Sequence, residues 1–375
     1  MRKAAIITII SVNHGNRLQN YATQEVLRHL GLETSTIVYH RKVDADGEPW
    51  TKVLKRRAAT FVSMTDQERY NAIKTELLNR LNGKLIQERC EAFRLFTQAN
   101  IRETDFSISD DSVPDGLAES YDFFVTGSDQ VWNPSFRGTP IYFLTFAPMQ
   151  KRIAYAASFG VSELPARYTE FYRKCISEIP YLSVREQAGA DIVKTLTGKD
   201  ALVLVDPTMM LSKERWLSVS NPADYRTSKS YLITYFVGPV DRDITKRIRD
   251  IARRTNLEVV QLASFKDKRR YTADPAEFID YINSADIVFT DSFHGAVFSI
   301  LLETPFVVCD RKALNSRIET LLATFKLQSR RWHNCKYKDD DHILCVDFSH
   351  VPPILEAERK KALDYLKMSL NSSLD

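Results

Sequence analysis

Hydrophobic residues in this chain fall into short β-branched runs, and several of these runs are followed by apolar positions at helical spacing. In the clearest case, the run Ile287 to Thr290 is bounded by polar residues and predicts a buried strand. Residues 290–292 are all good helix caps, and apolar positions then recur at helical intervals until Pro305 ends the pattern. This stretch therefore predicts a strand that turns directly into a helix.

His294 and Gly295 stand at the predicted start of that helix. A helix start presents free backbone N–H groups and a positive dipole end, which attract anions. A histidine there can exchange a proton near neutral pH, and a glycine lets a neighbour approach closely. Two interpretations follow: an anion site with a proton-transferring histidine, or a core histidine on an ordinary strand-to-helix turn.

Predicted strands and helices alternate along the chain, and this order predicts two α/β halves in succession. The first half has predicted strands at 4–10, 34–39, 121–126, 152–157, 181–184 and 201–205, with a helix at 17–30. The second has predicted strands at 231–237, 257–262, 287–290, 306–309 and 343–346, with helices at 241–254, 275–284, 294–303 and 314–325. We therefore expect an N-terminal domain over 1–212, a polar linker within 211–229, a C-terminal domain over 226–350, and a last helix over 354–370.

Residues from about 65 to 98 interrupt the alternation of strands and helices, because their apolar positions recur only at helical intervals. The pattern predicts one long helix, or a helical pair interrupted at Gly83. A structural insertion packed on the sheet is one interpretation, and a lid or partner surface is the other.

Three polar loops at predicted strand ends carry candidate chemistry. The loop 11–16 contains only Gly15, which falls short of the glycine pattern of dinucleotide sites, so bound NAD is not expected. It still follows a strand at the end where open α/β sheets bind ligands. Asp129 lies in a small-residue turn that suits either a ligand loop or a self-capping turn. Arg185, after another strand, suggests either an anion contact or a structural salt bridge.

The composition gives no support to several classes of function. The 375 residues include 52 basic and 48 acidic side chains, so the net charge of +4 gives no strong signal for nucleic acid or a membrane surface. No apolar run reaches ~18 residues, and no signal peptide is expected from the N-terminal pattern. The five cysteines form no C-x-x-C pair, which favours free thiols in a reducing cytoplasm over a zinc site.

Seven segments together resemble the polysaccharide pyruvyl transferase family, through their order and spacing over residues 4–326. They are Asn13 to Ala22, Thr126 to Trp132, Ala156 to Gly160, Leu182 to Glu186, Val205 to Thr208, Thr290 to Gly295 and Asn315 to Ile318. The resemblance implies a fold similar to GT-B glycosyltransferases, with two Rossmann-like domains facing across a cleft. It also implies that the last helix, 354–370, returns to the N-terminal domain.

The resemblance further implies transfer of a pyruvyl group from phosphoenolpyruvate to two hydroxyls of a sugar, forming a ketal, in polysaccharide or exopolysaccharide biosynthesis. The acceptor would be a lipid-linked or polymeric sugar. Phosphoenolpyruvate is the co-substrate, and no cofactor or metal is expected. By motif match, Asp129, Arg185 and His294 take the family's active-site positions.

The expected donor site lies in the C-terminal domain and comprises Arg317, Ser292, Gly295 and Lys312. Many members of the family carry Arg two residues before the histidine, where this chain has Ser292. Arg317 is the first candidate to replace that cation, with Lys312 and Arg311 after it. The expected acceptor-side loop lies in the N-terminal domain and comprises Asn13, Gly15, Asn16 and Gln19.

The implied chemistry assigns roles to these side chains. A positioned acid and base are both required; His294 suits the acid, and Asp129 suits the base or a clamp on the acceptor. Two other functions fit the residues. A sugar-nucleotide glycosyltransferase of the same fold would also use a helix start and arginines, and the exchange at Ser292 would suit an inactive glycan-binding relative.

Overall fold

Two parallel β-sheets organise this protein. The computed structural model describes residues 1–40, 65–134, 139–310, 316–335 and 338–371. The strands of the first sheet are β1 (Lys3–Ile7), β2 (Glu33–Tyr39), β3 (Glu103–Ile108), β4 (Phe123–Gly127), β5 (Arg152–Ala157), β6 (Tyr181–Val184) and β7 (Leu202–Val203). They are paired in the order β3-β2-β1-β4-β5-β6-β7. The second sheet contains β8 (Tyr231–Tyr235), β9 (Glu258–Leu262), β10 (Ile287–Thr290) and β11 (Phe306–Val308), in the order β11-β10-β8-β9.

Helices connect the strands of both sheets. They are α1 (His14–His29), α2 (Asp66–Leu81), α3 (Gly83–Asn100), α4 (Thr169–Ser177), α5 (Gln187–Thr197), α6 (Lys213–Val219), α7 (Arg242–Arg254), α8 (Lys268–Tyr271), α9 (Pro275–Asn283), α10 (Phe293–Leu302), α11 (Ser316–Thr324), α12 (Trp332–Cys335), α13 (Asp340–Leu344) and α14 (Val351–Asn371). Short 3-10 turns lie at Pro140–Phe143, Met149–Lys151, Ala166–Tyr168, Pro207–Met210 and Gln328–Arg330.

Strand order explains where a ligand site can form. In the first sheet β1 pairs with both β2 and β4, and in the second sheet β8 pairs with both β9 and β10, so each sheet reverses its winding direction at that strand. Open parallel sheets bind ligands beyond the carboxyl ends of strands at such reversal points. The carboxyl ends of β1 and β4 therefore form one wall of a cleft, and the carboxyl ends of β8 and β10 form the other.

The predicted helical insertion is a pair of helices, α2 and α3, separated at Asn82. Phe96 of α3 joins a core that includes Leu18 of α1, and Arg89 of α3 donates to the Tyr271 carbonyl at 2.5 Å. Helix α3 thus packs between α1 and residues of the second half. This packing favours the structural interpretation of the insertion for α3.

The polar stretch 211–229 is more ordered than a plain linker. It contains α6, in which Ser212 caps the helix by accepting from the Arg215 N–H. Trp216 of α6 is buried, and its ring lies 5.7 Å from Tyr21 and 5.0 Å from Phe298. One aromatic side chain in a polar segment therefore packs between helices of both halves.

One predicted strand is absent from the structure, and one observed strand was not predicted. Residues 343–346 do not form a strand; Asp339 accepts from the His342 N–H at 2.8 Å and starts the short helix α13. Strand β3 was not predicted, because it lies at the sheet edge, where its half-exposed sequence shows no buried run.

The C-terminal helix α14 lies on the first sheet. The Tyr365 hydroxyl donates to the Ala154 carbonyl at 2.8 Å, and Ala362, Leu366 and Leu370 share a core with residues of β1. Arg359 donates to the carbonyls of Met209 and Leu211, each at 2.6 Å. The C-terminal helix α14 therefore packs against the N-terminal half of the protein.

Candidate active site

A pocket of about 140 Å³ lies between the two sheets, at the strand ends identified above. It brings together six of the residues expected from the sequence and four others. Its lining residues are Ile9, Asn13, Asn16, Asp129, Gln130, Val237, Ser292, Phe293, His294 and Arg317. Residues separated by about 300 positions therefore contribute to one site.

Arg185 is not part of the pocket surface. Its buried guanidinium donates from Nη1 to Asp206 Oδ2 at 2.6 Å and from Nη2 to Asp129 Oδ1 at 3.2 Å. Ser128 Oγ also donates to Asp206 Oδ2, at 2.7 Å. The structure thus shows the salt-bridge alternative for Arg185, since both terminal nitrogens bind protein carboxylates.

His294 lies beside the same buried carboxylate. Its Nε2 is 3.5 Å from Asp206 Oδ2, and this buried nitrogen has no hydrogen-bond partner within the described part of the chain. Burial raises the pKa of the Asp206 carboxyl, but His294 and Arg185 together hold that pKa far below its usual range. Asp206 is therefore ionised, and a protonated His294 would have it as a buried counter-ion.

Asp129 lies at the end of β4 in a left-handed backbone conformation, with φ of 61°. Burial raises the pKa of its carboxyl, but Arg185, with His294 and Arg317, more than offsets this effect, so the pKa lies below its usual value. Asn16 also donates from Nδ2 to Asp129 Oδ2. The carboxylate is thus ionised and held from both sides of the cleft.

The expected acceptor-side loop is in fact the first turn of α1. Asn13 is the N-cap and accepts from the Asn16 N–H at 3.3 Å, so the helix starts at His14 and not at Arg17 as predicted. Gly15 packs directly against the imidazole of His294. Gln19 is buried behind the pocket and donates to Thr8 Oγ1 at 2.7 Å.

At the start of α10, Ser292 caps the helix and Gly295 permits a close contact with β10. Ser292 is the N-cap, and its Oγ accepts from the Gly295 N–H at 3.3 Å. A β-carbon at Gly295 would overlap the Thr290 side chain, so Gly295 permits close packing of helix on strand. Gly295 thus lets a neighbouring side chain approach closely, as expected, and its place in the donor site stays a prediction.

Arg317 provides a cation in the pocket. It lies in the first turn of α11, with Nη1 3.7 Å from Asp129 Oδ1. The Phe293 ring lies near two guanidinium groups, with its centroid 5.8 Å from Arg317 Cζ and 4.2 Å from Arg185 Cζ. Lys312 and Arg311, the other candidate cations, lie outside the described residues.

Sequence reasoning missed Asp206 and Phe293 as site residues. Asp206 follows β7 as Asp129 follows β4, so its position at a strand end was a usable signal. Phe293 gave no signal, because an aromatic residue at a helix start normally predicts core packing. Among the described side chains, no group of three or more His, Cys, Asp or Glu is placed to hold a metal ion.

A sequence model of the family described as polysaccharide pyruvyl transferase matches residues 13–312. The match covers far more than half of the chain and includes every predicted site residue except Arg317. The chain belongs to the polysaccharide pyruvyl transferase family. This confirms the family predicted from the sequence and its classification as an enzyme. No curated protein sequence matches the chain.

This pyruvyl transferase family member is similar to several solved structures. The S. aureus MnaA–UDP co-structure is 14% identical, with 99% of this chain and 97% of that chain covered and a TM-score of 0.50. UDP-GlcNAc 2-epimerase from Neisseria meningitidis bound to UDP-GlcNAc is 10% identical, with coverage of 96% and 94% and a TM-score of 0.44. The spinosyn rhamnosyltransferase SpnG complexed with thymidine diphosphate is 11% identical, with coverage of 98% and 96% and a TM-score of 0.37. At 14% identity the likeness to the S. aureus structure concerns the fold alone, and together with the two parallel sheets it confirms the expected GT-B-like α/β fold.

No helix in the described ranges combines the length and apolar character needed to cross a membrane.

Proposed function

We propose that this protein transfers the pyruvyl group of phosphoenolpyruvate to two hydroxyls of a sugar, forming a pyruvate ketal. The observation that carries the proposal is the pairing of His294 with Asp206 beside a pocket that Arg317 lines, in a chain of the pyruvyl transferase family. A histidine with a buried carboxylate at one ring nitrogen is suited to hold and release a proton.

Phosphoenolpyruvate brings a carboxylate and a phosphate, so its site needs cations and oriented N–H groups. Arg317 lines the pocket, and the start of α10 directs its dipole toward it. Arg317 stands in the same pocket as Ser292, where it can supply the charge that many family members place at the serine's position. Arg185 does not bind phosphoenolpyruvate directly in this proposal. It holds the carboxylates of Asp129 and Asp206 in place.

The two ring nitrogens of His294 have separate roles in this proposal. Nε2 faces Asp206, whose carboxylate balances the charge of the protonated ring and orients it electrostatically. Nδ1 lies beside Gly15 and is the nitrogen that exchanges a proton with the donor. Asp206 is thus a positioning residue, and His294 is the catalytic acid.

The reaction then proceeds in a balanced sequence. A proton moves from His294 to C3 of phosphoenolpyruvate, which becomes a methyl group and leaves C2 electron-poor. The oxygen of a first sugar hydroxyl bonds to C2 and loses its proton, and the C2–O bond to phosphate breaks with its electron pair on the phosphate. A second hydroxyl oxygen bonds to C2 and loses its proton in turn. Of the two hydroxyl protons, one returns to His294 and the other leaves on the phosphate.

Asp129 is better suited to hold the acceptor than to remove its proton. A carboxylate whose pKa is lowered by Arg185, His294 and Arg317 despite its burial is a weak base, but it remains a strong hydrogen-bond acceptor. We assign Asp129 and Asn16 to orientation of a sugar hydroxyl at C2.

The decisive experiment incubates the purified protein with phosphoenolpyruvate and candidate glycans. Phosphate release, together with the mass gain of one ketal-bound pyruvate on the glycan, is the expected result. Free nucleoside diphosphate from a sugar nucleotide, with no use of phosphoenolpyruvate, would instead identify a glycosyltransferase. Binding of a glycan without either product would indicate an inactive relative.

A further inference from the structure

A second and larger pocket, of about 420 Å³, lies in the C-terminal half next to the pocket that contains His294. It opens at the carboxyl ends of β8 and β9 and is bounded by α7. Nothing in the proposed chemistry uses it, because phosphoenolpyruvate and the reacting hydroxyls meet at His294. Its position at strand ends is nevertheless the position at which parallel sheets bind ligands.

The walls of this carrier pocket, as we call it, combine apolar and polar groups. Ile248 and Leu262 are buried apolar residues, and Phe236 and Phe265 are half-buried. The Phe265 ring stacks on Tyr271 at 4.5 Å, which holds it in place. Gln261 adds an amide to the lining. Such walls can accept a planar or an apolar group.

Two exposed cations, Arg249 and Lys266, line the rim of the carrier pocket. Neither has a carboxylate within 4.0 Å in the part of the chain that the structure describes, whereas Arg253, one turn further along α7, pairs with Asp250 at 3.4 Å. Lys268 and Arg269 follow close by and are also exposed. Exposed cations without carboxylate partners at the rim of a pocket favour a ligand with an anionic group at its mouth.

The two pockets are joined by a segment three residues long. Val237 lines the His294 pocket, while Phe236 and Gly238 line the carrier pocket. Asp291 fixes this segment, since its carboxylate accepts from the Val237 N–H at 2.7 Å and from the Gly238 N–H at 2.9 Å. Because Asp291 directly precedes Ser292, the same turn that starts α10 also sets the boundary between the pockets.

We propose that the carrier pocket binds the diphosphate-linked carrier of the acceptor, so that the attached sugar extends past Val237 toward His294. The ligand class is a sugar diphosphate ester: the diphosphate lies at Arg249 and Lys266, and the carrier group lies on the two phenylalanines. A nucleoside or an isoprenoid can supply the same diphosphate chemistry. This inference rests on the proposed function, because it identifies the acceptor of that reaction.

Binding to the full-length protein tests the inference without requiring turnover. Calorimetric titrations use uridine diphosphate, farnesyl diphosphate and inorganic pyrophosphate as probes. At least one of the two organic diphosphates should bind better than pyrophosphate, and the double variant Arg249→Ala, Lys266→Ala should bind it at least tenfold more weakly. A tenfold loss in the double variant corresponds to ~1.4 kcal/mol of binding free energy. Arg253→Ala, on the same helix but outside the pocket, is the matched control and should bind normally.

The two organic probes identify the source of the diphosphate. Stronger binding of uridine diphosphate supports a nucleotide-linked acceptor, and stronger binding of farnesyl diphosphate supports a lipid-linked one. Absence of binding by both, equal binding of pyrophosphate, or an unchanged affinity in the double variant overturns the inference. Ketal formation on a glycan that carries no diphosphate, with undiminished rate in the double variant, would overturn it and leave the proposed function intact. Diphosphate binding accompanied by release of free nucleoside diphosphate, with no transfer from phosphoenolpyruvate, would sink both the acceptor assignment and the proposed function.

Discussion

Gly15 of α1 lies against the imidazole of His294, so closely that a β-carbon at position 15 would overlap ring atoms Nδ1 and Cγ. The two residues lie in helices of different halves, α1 and α10, and are 279 positions apart, from 15 to 294. The N-terminal half therefore sets the position of the histidine that the C-terminal half carries. A glycine at this point is required by the close approach, and not by an unusual backbone angle.

Gly15→Ala should lower turnover without unfolding the protein. The added methyl would displace the His294 ring, and a displacement of about 1 Å at a reacting group can reduce the rate ~10²-fold. Alanine favours a helix more than glycine does, so α1 itself should not be weakened. Gly83→Ala is the matched control, because no atom lies within 4 Å of its added β-carbon. Steady-state rates and thermal melting of both variants provide the measurement. Normal turnover by Gly15→Ala would contradict the placement of His294 as the acid.

His294→Gln should reduce kcat far more than it changes the affinity for phosphoenolpyruvate. Glutamine can still donate and accept hydrogen bonds, but it cannot transfer a proton, and a positioned acid is worth ~10²–10⁴-fold in rate. Single-turnover rates and calorimetric affinity, measured on the same samples, separate the two effects. His29→Gln, at an exposed position of α1, is the control. An unchanged kcat would make His294 a packing residue at a helix start.

The two arginines should respond differently to replacement by alanine. Arg317 lines the pocket, so Arg317→Ala should weaken phosphoenolpyruvate binding by ~1.5–3 kcal/mol, the range for a hydrogen bond to a charged group. Arg185 binds two buried carboxylates, so Arg185→Ala should lower the free energy of unfolding by ~3–5 kcal/mol. Calorimetry with phosphoenolpyruvate and urea denaturation measure these quantities. Wild-type stability in Arg185→Ala, with donor affinity lost, would reverse the assignment.

Local sequence patterns were sufficient for the strand-to-helix turn that carries His294. The strand-to-helix turn at His294 was predicted from a β-branched run, three capping residues and Pro305, and the structure has β10 and α10 at these places. These signals are local, since each depends on residues within one or two turns of one another.

The pairings that define the site could not be predicted in this way. Arg185 binds Asp206, 21 residues later, and Asp129, 56 residues earlier, and only the packed sheet determines which carboxylates it meets. The contact between Gly15 and His294 depends on how two separate sheets face each other. The early start of α1 was missed because His14 is polar, although it is fully buried and its ring stacks on Phe278 at 4.6 Å.

Asp206 should make the stability of this protein sensitive to acid. The pKa of Asp206 is held far below its usual range by His294 and Arg185, despite burial that raises it. Between that low folded-state pKa and the unfolded-state value of ~3.9, the unfolded chain binds more protons, so stability rises with pH. The stabilisation is fully present above about pH 5 and is lost progressively as the pH falls below ~4.

Asp206→Asn removes this titration and leaves Arg185 without its closest counter-ion. The variant should therefore be less stable at neutral pH by ~3–5 kcal/mol, yet its free energy of unfolding should change less steeply between about pH 5 and 3. Urea denaturation at a series of pH values measures both effects, with Asp243→Asn, at an exposed position, as the control. If Asp206→Asn keeps the wild-type slope, another carboxylate is responsible for the acid sensitivity. If it also keeps wild-type turnover, Asp206 does not position His294, and the proton transfer must be assigned to another pair of residues.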